Sequence, residues 1–190
     1  MGNPSYIEIY DNAFNKKECD ILIDQFEKSS PRPGLTGLGY APDIKRCLQL
    51  DGSSFSNGSI ISNIVRPILI KYLDKYGQRY SNLLGRTLPW EYYDEYAFQK
   101  YETEDDGYKE WHCEHGYDEA SLRIMAWMFY LNDAKCGTEF VQYPTVRAKM
   151  GRCVIWPADW THVHKGVTPN KGLKYIITGW ASFIPSRIEL

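Results

Sequence analysis

The chain has 190 residues, a formal net charge of −2, 43% hydrophobic and 15% aromatic residues. That length can bury one full hydrophobic core, and the near-neutral balance gives no basic surface of the kind that nucleic acids or anionic membranes attract. The five cysteines are odd in number and scattered, with no CxxC pair, so they read as reduced thiols rather than a disulfide framework.

In chain order, the first residues carry neither a basic n-region nor an apolar h-region, so no secretory signal is expected there. Residue 6 is Tyr6, where a myristoylation pattern wants Ser or Thr. YIEIY (6–10) alternates and predicts a strand. Asn15 with Glu18 three positions on is a capping-box start, and Ile21, Leu22 and Phe26 fall on one face of the helix that follows. The Pro- and Gly-rich stretch from Ser30 to Asp43 predicts a loop. CLQLD predicts a short strand. Ile61 to Tyr80 predicts a second helix, disturbed near Pro67. No apolar run reaches the length of a membrane span.

From residue 91 the texture changes. EYAFQKYE, YKEWHCE, LRIMAWMFYLN, GTEFVQY, TVRAKM, RCVIWPA, HVHKGV and KYIITGWASF follow one another. Turn residues such as Gly116, Asn132-Asp133, Gly137, Gly151 and Asn170 separate them. Many short strands at close spacing predict a sandwich or barrel. The order is helical first and then all β, with no repeat or linker, so one domain over 1–190 is the expectation.

The chain has four histidines, and all fall in two short stretches, WHCEHG and WTHVHKG. Residues i and i+2 of a strand project to one face. Read as strands, these stretches project His112 with Glu114, and His162 with His164. Two imidazoles and one carboxylate brought together form the facial set that holds Fe(II) with coordination positions open. Each piece alone is ordinary: H-x-E is common at solvated strand edges, and two surface histidines need no ligand. Other chemistries lack parts. Cys113 lies between the candidate ligands and would face away from them as a nucleophile. A closed structural zinc site would want four ligands, often cysteines, and no Gly-rich phosphate loop precedes a helix.

WHCEHG, RIMAWMFYLND, GTEF, GRCVIWPADWTHVHKG and KYIITGW, in that order over about residues 94–183, resemble the iron- and 2-oxoglutarate-dependent dioxygenases, in the prolyl 4-hydroxylase-like branch with its small viral and bacterial forms. The resemblance implies an α+β, mainly β fold: a double-stranded β-helix (jelly roll) over about 91–184, with supporting N-terminal helices over about 1–90. It implies Fe(II) held by His112, Glu114 and a distal histidine. The family's commoner pattern is H-x-D; Glu is one methylene longer and places its oxygen differently. The family sets a basic residue about ten positions after the distal histidine. Lys174 lies ten after His164 and twelve after His162, which favours His164. Counting from the WPA segment favours His162, which stays as the alternative. His115 reads as an exposed strand-end residue.

The resemblance also implies 2-oxoglutarate as co-substrate, held at its far carboxylate by Lys174. A buried carboxylate needs a cation and hydrogen bonds, and Lys174 in apolar LKYII suits that; a snorkelling edge lysine is the alternative. Tyr130 resembles the tyrosine that assists this carboxylate and Tyr101 another nearer the iron, each equally readable as a core aromatic with a polar tip. Trp180 resembles a pocket-wall tryptophan, with core packing an equal reading, and Arg123 reads as support for the fold. The implied activity is hydroxylation of a C–H bond coupled to decarboxylation of 2-oxoglutarate by O2, with ascorbate a candidate accessory. The implied substrate is a prolyl residue in a peptide or protein, with the Ser30–Asp43 loop and the Tyr80–Glu91 segment shaping its groove. A free amino acid or other small molecule is the alternative substrate. A non-catalytic jelly roll and a cupin-type metal enzyme without 2-oxoglutarate are the other classes. No nucleic-acid or membrane partner is indicated, and a cytoplasmic location, in a cell or an infected host, is expected.

Overall fold

The computed structural model describes residues 5–51, 58–87, 89–92, 96–167 and 172–184. The expected turn at Asn170 lies outside them.

Strand β1 (Glu8–Tyr10) leads into helix α1 (Lys16–Glu27). The Asn15 side chain accepts from the Glu18 N–H, and the Glu18 carboxylate accepts from the Asn15 N–H, so two orphan donors of the first turn are satisfied. The buried stripe is Cys19, Leu22 and Phe26, with Ile21 only half-buried. The expected 30–43 loop contains β2 (Arg32–Pro33); β3 (Lys45–Arg46) and β4 (Leu48–Leu50) follow. Helix α2 (Ile60–Arg79) runs on through Pro67. Pro67 and Asn63 are both exposed, so the carbonyl left without an N–H partner faces water and the helix is not broken there. The short α3 (Ser81–Leu84) ends this part. Among the described residues no helix is long and apolar enough to cross a membrane.

The remaining strands are β5 (Trp90–Tyr92), β6 (Ala97–Tyr101), β7 (Gly107–Tyr108), β8 (Arg123–Tyr130), β9 (Gly137–Phe140), β10 (Val146–Arg147), β11 (Arg152–Pro157), β12 (His164–Gly166) and β13 (Lys174–Phe183). The main sheet runs β1-β11-β8-β13-β6-β4-β2, with β5 also paired to β13. A minor sheet runs β10-β9-β12, and β3 pairs with β7. All these pairings are antiparallel.

Alternation along the central strands divides the interior. Met125, Trp127 and Phe129 of β8, Cys153 and Ile155 of β11, and Tyr175 and Ile177 of β13 pack with Leu22, Phe26, Val65, Leu69 and Leu73 of the helices. The intervening residues Ala126, Tyr130, Val154, Trp156 and Ile176 face the other way and pack with Phe140 and Val146 of the minor sheet. A period of two thus gives the sheet one helix-covered face and one face turned to the minor sheet.

Two expected strands differ. YKEWHCE is not a run of strand: beyond β7 only His112 forms a bridge, to His164. Its backbone reaches separate partners instead, Lys109 N–H to the Ile44 carbonyl at 2.8 Å and Glu114 N–H to the Ala158 carbonyl at 2.9 Å. HVH is also divided, with His162 ending a 3-10 turn (Trp160–His162) and His164 opening β12. Gly137, expected in a turn, is the first residue of β9. A Cβ there would lie 2.0 Å from the Val146 carbonyl oxygen, so only glycine permits this approach of β9 to β10.

Gly179 sets how closely β13 lies against β8. A Cβ at this position would sit 2.5 Å from Cζ2 of the buried Trp127 and 3.0 Å from Cβ of Tyr96. Gly179→Ala is therefore expected to destabilise the protein by about 1–3 kcal/mol through overpacking. Urea unfolding of the variant beside the parent measures it, and equal midpoints would contradict the tight fit.

Candidate active site

A cavity of about 270 Å3 lies on the face of the main sheet that is turned to the minor sheet. The even-numbered residues of β13 reach it together: Lys174, Ile176, Thr178 and Trp180 all line it, as side chains two apart must. His112, Glu114 and His164 line the same cavity.

His112 and His164 are joined backbone to backbone, each donating its N–H to the other's carbonyl at 2.9 and 2.8 Å. This bridge fixes the loop carrying His112 and Glu114 onto β12. Each ring is then oriented by its Nδ1–H, which donates to a backbone carbonyl: His112 to Glu110 at 2.9 Å and His164 to His162 at 2.8 Å. That fixes the tautomer and leaves both Nε2 atoms as acceptors. The Glu114 Oε1 lies 3.2 Å from Nε2 of His164 and 3.9 Å from Nε2 of His112. The three ligand atoms lie within 4.8 Å of one another. Lone pairs facing one another at this range repel unless a cation lies between them, either a proton or a metal ion. Two neutral imidazoles and a carboxylate gathered on one side are a donor set that fits a divalent ion with positions left open.

The electrostatics agree. Burial and the nearby positive groups hold His112 below its ordinary value, against the pull of Glu114, which keeps it neutral and able to ligate. Burial pushes the Glu114 carboxyl up, but its interactions with His164 and His112 and the hydrogen bond from the Trp180 indole outweigh it and hold the group down to about 2. Glu114 is therefore a carboxylate at neutral pH.

The extra methylene of Glu114 is restrained by its second oxygen. Oε2 accepts from the Trp180 Nε1–H at 2.7 Å, which leaves Oε1 toward the histidines. Arg123 in turn lies over the Trp180 ring, 3.6 Å from its centroid, and donates to the Glu114 carbonyl at 3.1 Å. Arg123 thus supports the glutamate from two sides, while Trp180 does more than pack against the pocket wall.

Lys174 is 3% exposed. Its ammonium donates to the Val167 carbonyl at 3.1 Å and lies 4.2 Å from the Tyr101 ring centroid. Among the described residues no carboxylate pairs with it, and burial drives its pKa down. Such a cation suits an anionic ligand. Tyr101 lines the cavity but donates its hydroxyl to Gln99 Oε1 at 2.5 Å. Tyr130 does not line it. Its hydroxyl shares a 2.6 Å hydrogen bond with Thr138 Oγ1, and Thr138 is the residue that reaches the cavity.

The structure does not bring His162 to this cluster. Its Nε2–H donates to the Ser5 carbonyl at 2.6 Å and its ring stacks on Tyr143, with centroids 4.9 Å apart. It lines a separate cleft with Tyr6, Tyr76 and Tyr80. His115 is exposed, with Nε2 at 2.6 Å from the Arg123 carbonyl. Among the cavity residues that the sequence reading did not single out, two stand close to the cluster or carry a charge. Tyr108 stacks on His112, with ring centroids 3.7 Å apart and planes at 21°, and Lys45 lines the cavity although 6% exposed. In sequence, Lys45 sits in DIKRC beside another basic residue and gives no sign of burial.

Residues 96–182 match the family model of the 2OG-Fe(II) oxygenase superfamily. This match, over a little under half of the chain, supports an oxygenase by class. Among solved structures it is similar to the viral collagen prolyl hydroxylase of Paramecium Bursaria Chlorella virus-1 in its 2OG complex, with TM-score 0.70 and 16% identity over 94% of this chain and 97% of that one. It is similar to a Trichoplax adhaerens prolyl hydroxylase in complex with a hypoxia inducible factor peptide fragment, with TM-score 0.72 and 14% identity over 94% and 84%. A Pseudomonas putida prolyl-4-hydroxylase gives TM-score 0.68 and 13% identity over 95% and 94%. No curated protein matches the chain in sequence. At such identities the shared property is the fold, the double-stranded β-helix with its N-terminal helices.

Trp180→Phe keeps a ring under Arg123 and removes the donor to Glu114. It is expected to weaken divalent-metal binding by about 10- to 100-fold, the usual effect of losing a hydrogen bond that orients a ligand. Isothermal titration with Mn(II) measures this; an unchanged affinity would show that Glu114 is held without Trp180.

Proposed function

We propose that this chain is an Fe(II)- and 2-oxoglutarate-dependent hydroxylase that inserts oxygen into a C–H bond, with a prolyl residue of a peptide as its substrate. One observation carries the reading: two imidazole Nε2 atoms and a carboxylate oxygen converge in a cavity that also holds a buried lysine with no carboxylate partner among the described residues. His112, Glu114 and His164 would hold the metal, and Lys174 the far carboxylate of 2-oxoglutarate. The superfamily's use of Fe(II) and 2-oxoglutarate supports this assignment. The peptidyl substrate is supported by likeness in fold to the viral collagen prolyl hydroxylase and to the peptide-bound Trichoplax enzyme.

Once bound, iron and 2-oxoglutarate supply the oxidising power, O2 being consumed as 2-oxoglutarate loses CO2 to become succinate and the substrate C–H bond gains a hydroxyl. The chain supplies position and a dry site. The two Nδ1–H donors hold the rings with Nε2 inward, Trp180 and Arg123 keep Glu114 Oε1 turned to them, and Tyr108 covers one face of His112. Tyr101 and Thr138 line the space beside Lys174, with Tyr130 anchoring Thr138 from behind. The whole chain would serve as one domain, its helices backing the sheet that carries β13.

The test is anaerobic. Fe(II) followed by 2-oxoglutarate should give a visible charge-transfer band in the parent protein and in His162→Ala, but none in His112→Ala or His164→Ala. Lys174→Ala should raise the half-saturating 2-oxoglutarate concentration by about 30-fold or more, since truncating one partner of a buried charge pair costs about 2–5 kcal/mol. Tightly bound iron with no band in the parent would favour a metal enzyme that uses no 2-oxoglutarate. The peptidyl part is checked separately by mass spectrometry, as the gain of one oxygen on proline in a peptide library; oxidation of free amino acids alone would replace it.

A further inference from the structure

Lys45 is a second buried cation in the cavity, and nothing assigned so far makes use of it. It lies on β3 opposite Tyr108 of β7, the residue whose ring stacks on His112. Its ammonium donates to the Leu35 carbonyl at 2.9 Å and to Gln49 Oε1 at 2.7 Å. Both acceptors are neutral. An ammonium has three donors, so one remains, on a side chain that lines the cavity. Among the described residues no carboxylate lies within ion-pair distance of it. Burial drives its pKa down, while the more distant charges of Glu114 and Asp51 favour its protonated form.

The surroundings hold this ammonium in place. Gln49 Oε1 also accepts from Gln99 Nε2 at 3.0 Å, and Gln99 Oε1 accepts from the Tyr101 hydroxyl. The chain Lys45–Gln49–Gln99–Tyr101 therefore runs along the cavity wall with every bond donated in a fixed sense. Gly34 leaves the passage for the side chain: a Cβ there would lie 3.2 Å from Lys45 Cε and 2.5 Å from Cys47 Sγ.

Charge decides what this group is for. With the assignments under Proposed function, on which this inference rests, the two charges of iron are met by Glu114 and by the oxo-acid end of 2-oxoglutarate. The far carboxylate meets Lys174. Among the described residues Lys45 keeps no paired counter-charge, and a desolvated cation without one is costly. We propose that Lys45 is a specificity-determining residue that receives a carboxylate of the primary substrate, so that the enzyme selects acids over their amides. The carboxylate can belong to a free amino acid or to an acidic side chain beside the target residue of a peptide. The exposed Leu38 and Tyr40, on the same loop as Leu35, provide apolar surface suited to the second source.

The experiment uses the full chain loaded with Mn(II), which does not turn over, and saturating 2-oxoglutarate. Two probe pairs are titrated while the melting temperature is followed: L-proline against L-prolinamide, and an end-blocked Pro-Asp peptide against the Pro-Asn peptide. A ligand that binds only the native state raises that temperature. At least one acid should bind about tenfold or more tightly than its amide, and which pair shows it identifies the source of the carboxylate. Lys45→Met should abolish the preference and leave the 2-oxoglutarate half-saturation within about threefold of the parent, whereas Lys45→Arg should retain the preference. A merely structural lysine, tying Leu35 to Gln49, would lower stability without changing the acid-to-amide ratio. Should Lys45→Met not fold, Lys45→Arg and the parent's acid-to-amide ratio decide. Equal binding of acid and amide, binding of neither, or a preference that survives in Lys45→Met overturns the proposal. So does a Lys45→Met protein that loses 2-oxoglutarate more severely than Lys174→Ala, which would make Lys45 the co-substrate's anchor. If 2-oxoglutarate fails to stabilise the metal-loaded parent, the underlying function falls first, and that result is seen before any probe is added.

Discussion

The antiparallel pairing of β8 with β13 is the constraint on which the rest of the molecule depends. Both strands lie in the middle of the main sheet and are covered on both faces. Because side chains alternate, one residue set must meet the helices and the other must meet the minor sheet and the cavity. Lys174 and Trp180 share the cavity-facing parity, six residues apart on one strand. A slip of one position would exchange them with Tyr175 and Ala181, which pack in the helix-facing core. The close contact of Gly179 with Trp127 helps to fix that register.

Facing these strands, the candidate metal centre is assembled from His164 at the start of β12 and from two residues outside regular structure. His112 and Glu114 lie in a loop, and the loop is held where it is by the reciprocal backbone bridge to His164 and by the Glu114 N–H bond to Ala158. Side-chain bonds then finish the alignment: two backbone carbonyls choose the histidine tautomers, and Trp180, from the opposite sheet, chooses the glutamate oxygen. A glutamate in place of the commoner aspartate thus comes with a donor that restrains its added length.

Much of this was legible in the residues. The capping box at Asn15 and Glu18, the second helix, the β-rich second half and the pairing of His112 with Glu114 were visible as local patterns. The route to the last of these was different from the expectation. A strand period would put His112 and Glu114 on one face, but the structure reaches the same convergence through a loop. Pro67 does not end α2, and both it and Asn63, whose carbonyl loses the N–H partner, are on the exposed side of the helix. The two distal histidines were left open by counting alone, since spacing along a chain cannot report that a 3-10 turn separates His162 from His164 and directs the first to the Ser5 carbonyl.

The sequence by itself pointed to an open metal site, because its four histidines fall in two short stretches within an ordered series of motifs that resembles a known family. It also determined the order of helices and strands, because capping and periodicity act over a few neighbouring residues. Only the tertiary structure decided which histidine joins the cluster, which glutamate oxygen faces it, that Thr138 rather than Tyr130 reaches the cavity, and that Lys45 is buried there. Each of these depends on groups far apart in the chain, on the packing of one sheet against another, and on which donors water can no longer reach.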